Sequence, residues 1–286
     1  MPCGNSARIL RLSVYARISV EAVPAEIGFP QVARLIQHLV EDPHPCSYLP
    51  DEPAAQLELR VLVDVSAVEL EAMLERGWRR FGPVYFRPTC ASCTECVALR
   101  VDTVMFAPSK SQRRALKNAA ALTRTVGRPV VDDERLALYQ KWHAQREEAR
   151  GWEPSGLDRE RYQTDFAFPH PAVREVAFRD ASDRLVGLGI CDETPALVSA
   201  VYFFWDPELA PPSLGVAHVA TLALEARKAG KPWLHLGYRV LGCASLLYKA
   251  NYHPHSLLVG RPAHTETPQW RSEPEVSRGE SVPSPV

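Results

Sequence analysis

Five polar side chains in the second half of the chain stand where strands and short helices are expected to end. They are Tyr202, Asp206, Tyr238, Tyr248 and Lys249. Phenol, carboxylate and ammonium groups at the ends of elements can converge on one ligand. Each of these residues alone is more typical of aromatic packing or of a surface ion pair. Their combination indicates a binding or catalytic site.

Backbone groups in the same region offer a second kind of contact. Ser213 and Gly215 stand at the expected start of a helix, where free N–H groups can bind a phosphate or a carboxylate. The strands expected to carry Tyr202 and Tyr238 flank this helix in a βαβ unit, so their ends can be neighbours. The region therefore combines side-chain and backbone groups suited to a substrate.

Cysteines in the first half of the chain have a spacing that suits a metal. Cys90, Cys93 and Cys96 form C-x-x-C-x-x-C, which lets one loop turn three thiolates toward a common centre, and Cys46 can supply a fourth. Zinc takes four tetrahedral ligands, and iron–sulfur clusters are held by cysteine thiolates. Free cysteines also pack as small apolar residues. The cofactor is therefore unknown, with a zinc site, an iron–sulfur cluster and ordinary packing all open.

A run without acidic residues separates Asp102 from Asp132. Four of its basic residues follow the i, i+3, i+4, i+7 spacing of one helix face: Lys110, Arg113, Arg114 and Lys117. Such a face is often simply solvated. Because no acidic residue is interleaved here, the face can also meet the phosphates of RNA.

Composition excludes several classes of protein. The chain has 286 residues, 46% of them hydrophobic, and a formal net charge of −1, so it can bury a large core and has no overall charge that would draw it to DNA. The longest uncharged run, 209–224, is shorter than the roughly 20 residues of a membrane helix and contains two prolines. Scattered arginines interrupt any secretory signal near the N-terminus, and seven cysteines suit a reducing compartment. We expect a cytoplasmic protein without membrane contact.

Alternation and capping signals predict the elements that must position these groups. In the first half we expect strands over 57–63, 79–87 and 97–104, and helices after the N-caps Ser66 and Ser109. In the second half we expect a helix over 133–149, a loop over 151–171, strands over 172–178, 185–191 and 197–205, a helix over 213–229 and a strand over 232–236. This order predicts an α/β (α+β) fold with a mixed sheet.

Motifs from both halves carry a family resemblance. In chain order they are C-x-Y-L-P at 46–50, R-P-x-C-x-x-C-x-x-C at 87–96, P-S-K-S-Q-R-R at 108–114, S-x-V-Y-x-x-x-D-P at 199–207, S-L-G at 213–215, L-G-Y at 236–238, G-C at 242–243 and Y-K-A at 248–250. With these motifs in this order, the chain resembles the aminoacyl-tRNA-protein transferases, the leucyl- and arginyl-transferases that tag protein N-termini for degradation.

The resemblance implies an enzyme whose partners are an aminoacyl-tRNA and acceptor proteins that begin with Asp or Glu. It favours leucine as the amino acid transferred and tRNA as the ligand of the basic face. It places the five polar residues in catalysis and adds Ser213, Gly215 and Arg239 to substrate binding. A cation such as Lys249 or Arg239 can pair with the acidic acceptor side chain. Family members differ in whether the related cysteines hold a metal or a cluster.

The resemblance also implies an acetyltransferase-like (GNAT) fold for the C-terminal part. The expected division is an N-terminal extension over 1–30, a cysteine-containing domain with the basic helix over 31–128, the GNAT-like transferase domain over 129–260 and a disordered tail over 261–286.

Three residues depart from what relatives commonly have after L-G-Y and before Y-K: Arg239, Ser245 and Leu246. They raise the question of an altered donor or acceptor pocket. Arginyl transfer and a non-catalytic, metal-containing RNA-binding protein stay open as alternatives. An acyl-coenzyme A-dependent acetyltransferase needs a glycine-rich pyrophosphate loop, whereas 206–215 has three prolines and one glycine.

Overall fold

Two β-sheets and six α-helices make up the part of the chain that the computed structural model describes, which is residues 33–49, 51, 54–151 and 154–273. The N-terminal extension expected over 1–30 lies outside these residues. No helix in the described ranges is both long enough and apolar enough to cross a membrane. The mixed α/β class expected from the sequence is confirmed.

The strands, in chain order, are β1 (Arg34–Val40), β2 (Leu57–Val63), β3 (Arg79–Phe81), β4 (Val84–Pro88), β5 (Val97–Asp102), β6 (Thr123–Gly127), β7 (Val173–Arg179), β8 (Leu185–Glu193), β9 (Leu197–Trp205), β10 (Trp233–Arg239), β11 (His255–Leu258) and β12 (Trp270–Glu273). The helices are α1 (Ala67–Leu74), α2 (Lys110–Asn118), α3 (Asp133–Arg150), α4 (Arg159–Phe166), α5 (Leu214–Lys228) and α6 (Ala244–Leu247). A 3₁₀ turn over Tyr248–Asn251 follows α6 directly.

The smaller sheet is antiparallel, with the strand order β1-β2-β4-β3. The larger sheet has the order β12-β11-β5-β10-β9-β8-β7-β6. Its neighbours are antiparallel except β9 and β10, which run parallel because α5 connects them. Strands β5 and β6 of the larger sheet come before residue 128, in the expected cysteine-containing domain. The domain boundary between residues 128 and 129 stays a prediction.

Alternating side chains of the larger sheet build a core on each of its faces. Leu188 and Ile190 of β8 pack with α3, α4 and the smaller sheet, whereas Val186 and Cys191 pack with α5. Helix α2 packs beside α5 on the second face. The smaller sheet therefore closes one face of the larger sheet, and the α2–α5 pair closes the other.

Local capping explains why the helices begin where they do. The Ser66 side chain accepts the N–H of Glu69 while the Glu69 carboxylate accepts the N–H of Ser66, a complete capping box at α1. Ser109 and Gln112 form the same reciprocal pair at α2. Both N-caps are confirmed.

Other elements differ from expectation. The loop expected over 151–171 contains α4, whose N-cap is Asp158 and whose Tyr162 and Phe166 are buried. This helix depends on tertiary burial, because its eight residues are too few for stability by propensity alone. The tail expected to be disordered contains β12, which pairs with β11 over 255–258. Strands β1, β6 and β11 were not anticipated either.

Candidate functional site

The parallel strands β9 and β10 separate after a short paired stretch. Their register runs only from Leu197 opposite Trp233 to Ser199 opposite His235. Beyond that point β9 stays paired with β8 and β10 stays paired with β5 to their ends. The register of β10 against β5 also shifts between His235 and Gly237. A gap therefore opens between the two strands toward their C-terminal ends.

Arg79 of β3 enters this gap from the smaller sheet. Its Nη1 donates to Ser199 Oγ at 2.6 Å and its Nη2 to the Ala200 carbonyl at 2.5 Å. On the other side of the gap, a Cβ placed on Gly237 would stand 3.2 Å from Arg79 Nε. The guanidinium thus touches both strands, and burial lowers its pKa.

Tyr238 and Lys249, both expected in the site, are in direct contact. Lys249 is buried, and its Nζ donates to the Tyr238 carbonyl at 2.8 Å. Burial, with the charge of Arg79 as the second cause, lowers the pKa of Lys249 to about 7. The Tyr238 hydroxyl donates to the Gly77 carbonyl at 2.7 Å, so this phenol anchors β10 to the smaller sheet.

Tyr248 precedes Lys249 in the 3₁₀ turn and is partly buried against the α5 side of the core. Burial raises the pKa of its phenol, and the nearby charge of Arg79 opposes that rise. Within the described ranges its hydroxyl has no hydrogen-bond partner. Of the three tyrosines expected in the site, Tyr248 is the one whose hydroxyl stays available to a ligand.

Tyr202 lies on the α3 face of β9, inside an aromatic cluster. Its ring is 5.9 Å from that of Trp142, 6.2 Å from that of Tyr139 and 5.4 Å from that of Phe166, centroid to centroid. Burial, and then Tyr139, raise its pKa well above the usual value, since the two hydroxyls are hydrogen bonded. Tyr202 therefore lines an aromatic wall.

Asp206 organises the turn after β9. Its Oδ1 accepts the N–H groups of Glu208 and Leu209 at 2.9 and 3.0 Å, and both of its oxygens lie 3.0 Å from Lys141 Nζ. Burial alone raises the pKa of Asp206, but these hydrogen bonds lower it overall. The carboxylate is thus already committed to a backbone turn and to one ammonium.

Three further candidates occupy different places. Ser213 is the N-cap of α5, with φ of 64° and no side-chain capping bond, and Gly215 lies in the first turn against Phe203 and Trp205. Arg239 donates to Glu273 of β12 at 2.7 Å, so its charge is compensated within the protein. The helix start stays open as a backbone donor site, whereas Arg239 is engaged.

The basic face expected on α2 forms as a continuous surface. Lys110, Arg113, Arg114 and Lys117 are all exposed, and none of them makes an ion pair within the described part of the chain. The opposite side of the helix buries Gln112 and Ala115. Four uncompensated charges therefore point away from the protein.

Two hydrogen bonds hold α2 beside the rest of the site. Gln112 Nε2 donates to the Asn251 carbonyl at 3.0 Å, which joins α2 to the 3₁₀ turn that bears Tyr248 and Lys249. Asn118 Nδ2 donates to the Pro212 carbonyl at 3.3 Å, next to the start of α5. The basic face is thereby attached to the turn and to the helix start.

The four expected cysteines approach one another. Cys46 Sγ accepts the N–H groups of Tyr48 and Leu49 at 3.4 Å, and Cys90 Sγ accepts the N–H of Gln56 at 3.4 Å. Burial, followed by the charges of Cys46, Cys90 and Cys93, raises the pKa of Cys96 to about 12. The loop is held by Arg261, which donates to the Cys90 and Cys93 carbonyls at 2.9 and 2.6 Å.

Soft thiol donors suit zinc or an iron–sulfur cluster. Within the ranges described, however, no three His, Cys, Asp or Glu side chains are arranged so that they could hold a metal ion. The residue types fit such a group and the present arrangement does not. The metal site stays a prediction, and no chemical step below depends on it.

Sequence reasoning missed Arg79 and Gln112. Arg79 lies in an expected strand. The only local signal for it is a charged residue next to apolar ones in the sequence G-W-R-R-F. Its neighbour Arg80 is buried in an ion pair with Asp192, so two adjacent arginines have different partners. Gln112 was assigned to a helix that faces solvent, and its buried bond to Asn251 has no local signal.

Comparison with known proteins gives matches over both halves of the chain. The family model described as Arginine-tRNA-protein transferase, N terminus, matches residues 44–114, and the C terminus model of the same name matches residues 134–259. Among solved structures, L-PGS from Bacillus licheniformis matches at 12% identity with a TM-score of 0.39, covering 71% of this chain and 69% of that one.

Curated relatives match at higher identity. An aspartate/glutamate leucyltransferase of Pseudomonas entomophila is 34% identical over 231 residues, which cover 81% of this chain and 97% of the relative. One from Saccharophagus degradans is 32% identical over 217 residues, which cover 76% of this chain and 91% of the relative.

Proposed function

Because the chain belongs to the arginine-tRNA-protein transferase family, we propose that it transfers leucine from leucyl-tRNA to proteins that begin with Asp or Glu. Membership makes it an enzyme that moves an amino acid from aminoacyl-tRNA to protein N-termini. The names of the relatives, aspartate/glutamate leucyltransferases, support the donor and the acceptors.

One contact supports this function most directly, the bond from Gln112 to the Asn251 carbonyl. It holds the exposed basic face of α2 beside the turn that carries Tyr248 and Lys249. An RNA backbone on that face can therefore deliver its 3′ end to the gap between β9 and β10. Several phosphate contacts on one helix also give a strongly salt-dependent affinity.

The reaction balances without a protein nucleophile. The neutral α-amine of the acceptor attacks the ester carbonyl carbon, the new C–N bond forms, and the C–O bond to the ribose breaks. The proton lost by the amine ends on the ribose oxygen, which leaves free tRNA and a peptide bond. Since an α-amine titrates near pH ~8, only mild help is needed to deprotonate it. Orientation and stabilisation of the oxyanion supply the rest.

We assign these roles to the residues around the gap. The free hydroxyl of Tyr248 is placed to donate to the ester carbonyl as negative charge develops on its oxygen. Tyr238 and Tyr202 hold the walls of the gap, since their hydroxyls bond to Gly77 and Tyr139. The N–H groups at the start of α5 are a further donor set for the oxyanion or a phosphate.

The proposed preference for leucine over arginine rests on the partners that the Asp206 carboxylate already has. A bound arginine side chain needs a carboxylate partner. Asp206, the acidic residue expected near the donor, is compensated by Lys141 and by two backbone N–H groups. The aromatic wall around Tyr202 suits an apolar side chain better.

We also propose that the C-terminal part has the acetyltransferase-like arrangement. Parallel strands that pair over three residues and then part, with a helix between them in sequence, support it. The gap between such strands gives the ester a route to the centre of the sheet.

The donor assignment is tested with two charged tRNAs in competition. Purified protein is incubated with an Asp-initiated peptide and equal amounts of leucyl-tRNA and arginyl-tRNA, and the peptide products are separated by mass. We expect the leucine adduct to dominate. If only the arginine adduct forms, the chain is an arginyl-transferase, and the argument from Asp206 is wrong.

A further inference from the structure

Arg79 carries a charge that the protein does not compensate. Within the described residues no carboxylate lies at ion-pair distance from it. The carboxylate that interacts with it most, Asp192, is buried in its own ion pair with Arg80. A guanidinium has five N–H donors. Two of them are used by Ser199 and Ala200, which leaves three for a ligand.

The groups around Arg79 supply no negative charge. Lys249, whose pKa burial lowers to about 7, is only partly protonated near neutral pH, and it too has no carboxylate partner among the residues described. Burial raises the pKa values of Tyr238 and Tyr248, so both phenols stay neutral near pH 7. Burial also lowers the pKa of His235. Among the described residues, the guanidinium of Arg79 therefore has no carboxylate counter-ion where it meets β9 and β10.

Uncompensated buried charge is costly, because it gives up hydration without gaining an ion pair. Two buried arginines in the described part of the chain have carboxylate partners: Arg80 pairs with Asp192, and Arg135 with Glu175. Arg79 differs from them in that it has no such partner in that part of the chain and is partly exposed. An anion that enters the gap recovers the missing ion pair.

Building on the proposed function, we propose that Arg79 binds the side-chain carboxylate of the acceptor's first residue and thereby selects Asp and Glu. The planar guanidinium, fixed at one edge by Ser199 and Ala200, can present two parallel N–H groups to a carboxylate. Lys249, which interacts electrostatically with Arg79, adds positive charge in the fraction of molecules in which its amine is protonated. The first residue then lies between β9 and β10, with its α-amine near Tyr248.

The test is the discrimination between peptides that begin with Asp and with Asn, which differ in charge but hardly in size. In Arg79→Gln we expect the preference for Asp in kcat/KM to fall about tenfold or more, the effect of losing one charge-assisted hydrogen bond. The loss should come from the KM for the Asp peptide, with the KM for leucyl-tRNA unchanged. Arg79→Lys should recover part of the preference.

Arg76→Gln is the matched control, because Arg76, like Arg79, has no carboxylate among its hydrogen-bond partners in the described ranges, and it lies at the surface, where it donates to three backbone carbonyls. It should keep the wild-type preference. If Arg79→Gln keeps that preference, or loses activity on both peptides equally while folded, Arg79 does not select the acceptor. If Arg79→Gln does not fold, Ser199→Ala is the second variant, because it removes one of the two hydrogen bonds that hold the guanidinium. It should reduce the preference for Asp by a smaller factor. An unchanged preference in Ser199→Ala overturns the proposal.

Direct binding separates this proposal from the function on which it rests. Fluorescence anisotropy of labelled Asp and Asn peptides needs no tRNA and no transfer. If wild-type protein transfers nothing yet binds the Asp peptide more tightly, and loses that preference in Arg79→Gln, the role of Arg79 holds and the proposed function fails. Equal binding of both peptides by the wild type refutes the role of Arg79.

Discussion

The guanidinium of Arg79 lies directly against the backbone of Gly237, so that a Cβ on Gly237 would stand 3.2 Å from Arg79 Nε and 3.3 Å from its Cζ. Gly237 also has a φ of 76°, which residues with a side chain adopt at a cost. The absence of a side chain at one position on β10 thus makes room for the cation from β3.

Replacing Gly237 tests this arrangement. In Gly237→Ala, we expect a loss of roughly 1–2 kcal/mol in the free energy of unfolding from the positive φ and the crowding. The displaced guanidinium should also raise the KM for Asp-initiated peptides. Chemical denaturation and steady-state kinetics measure the two effects. Gly127→Ala is the control, because a Cβ there meets nothing within 4 Å. Equal behaviour of the two variants would show that Gly237 is not needed to seat Arg79.

The basic face of α2 is expected to carry tRNA binding. Arg113→Glu with Arg114→Glu should weaken tRNA binding and flatten its dependence on salt, by roughly one unit of the logarithmic slope for each phosphate that the helix no longer neutralises. Binding is measured by filter retention or anisotropy over a range of salt. The control is Lys228→Glu with Arg271→Glu, which makes the same change of charge on two highly exposed side chains elsewhere. An unaltered salt slope in the α2 variant would mean that tRNA binds to another surface.

Stability at acid pH should depend on His218. This ring is buried, it stacks on Phe203 with the centroids 4.3 Å apart, and burial lowers its pKa to about 3. Between pH 6.5 and 3 the unfolded chain therefore takes up a proton that the folded chain excludes, so the free energy of unfolding falls as the pH falls. At pH 5 this loss is roughly 2 kcal/mol.

In His218→Leu the difference in unfolding free energy between pH 7 and pH 5 should shrink by about that amount, as measured by urea denaturation. His264→Leu, at an exposed position, should leave the difference as it is in the wild type. A wild-type difference retained in His218→Leu would show that other groups cause the acid sensitivity.

The cysteine loop is expected to bind zinc or an iron–sulfur cluster. Protein purified without oxygen should contain zinc or iron by elemental analysis, with visible absorption if a cluster is present. Cys90→Ser should lose the metal, whereas Cys243→Ser, whose thiol is buried near Ser245 outside the loop, should keep it. If the wild type contains neither metal above trace, all four cysteines of the predicted site are packing residues.

The features that could be predicted from the sequence are those that depend on residues a few positions apart. The capping boxes at Ser66 and Ser109 and the helical spacing of the basic face lie within a few residues, and they appear as expected. The contact between Lys249 and the Tyr238 carbonyl could also be anticipated, because the L-G-Y and Y-K-A motifs lie close together in the chain.

Long-range partners could not be predicted from the sequence. Arg79 meets Ser199 across 120 positions, and Lys141 meets Asp206 across 65. No residue close to Asp206 in the sequence indicates that its carboxylate is paired with Lys141. Helix α4 was missed for the same reason, since its apolar residues are few and Phe166 packs mainly against aromatic rings that are distant in sequence.

The central claim, transfer of an amino acid to the α-amine of acidic N-termini, is tested most directly by mass spectrometry of a peptide set incubated with leucyl-tRNA. The peptides differ only in the first residue, which is Asp, Glu, Asn or Ala, and one Asp peptide carries an acetylated α-amine. We predict that the free Asp and Glu peptides gain the mass of one leucine residue at the N-terminus, that the Asn and Ala peptides gain it far more slowly, and that the acetylated peptide does not gain it. A leucine adduct on the acetylated peptide, or no adduct on the Asp and Glu peptides, would contradict the account.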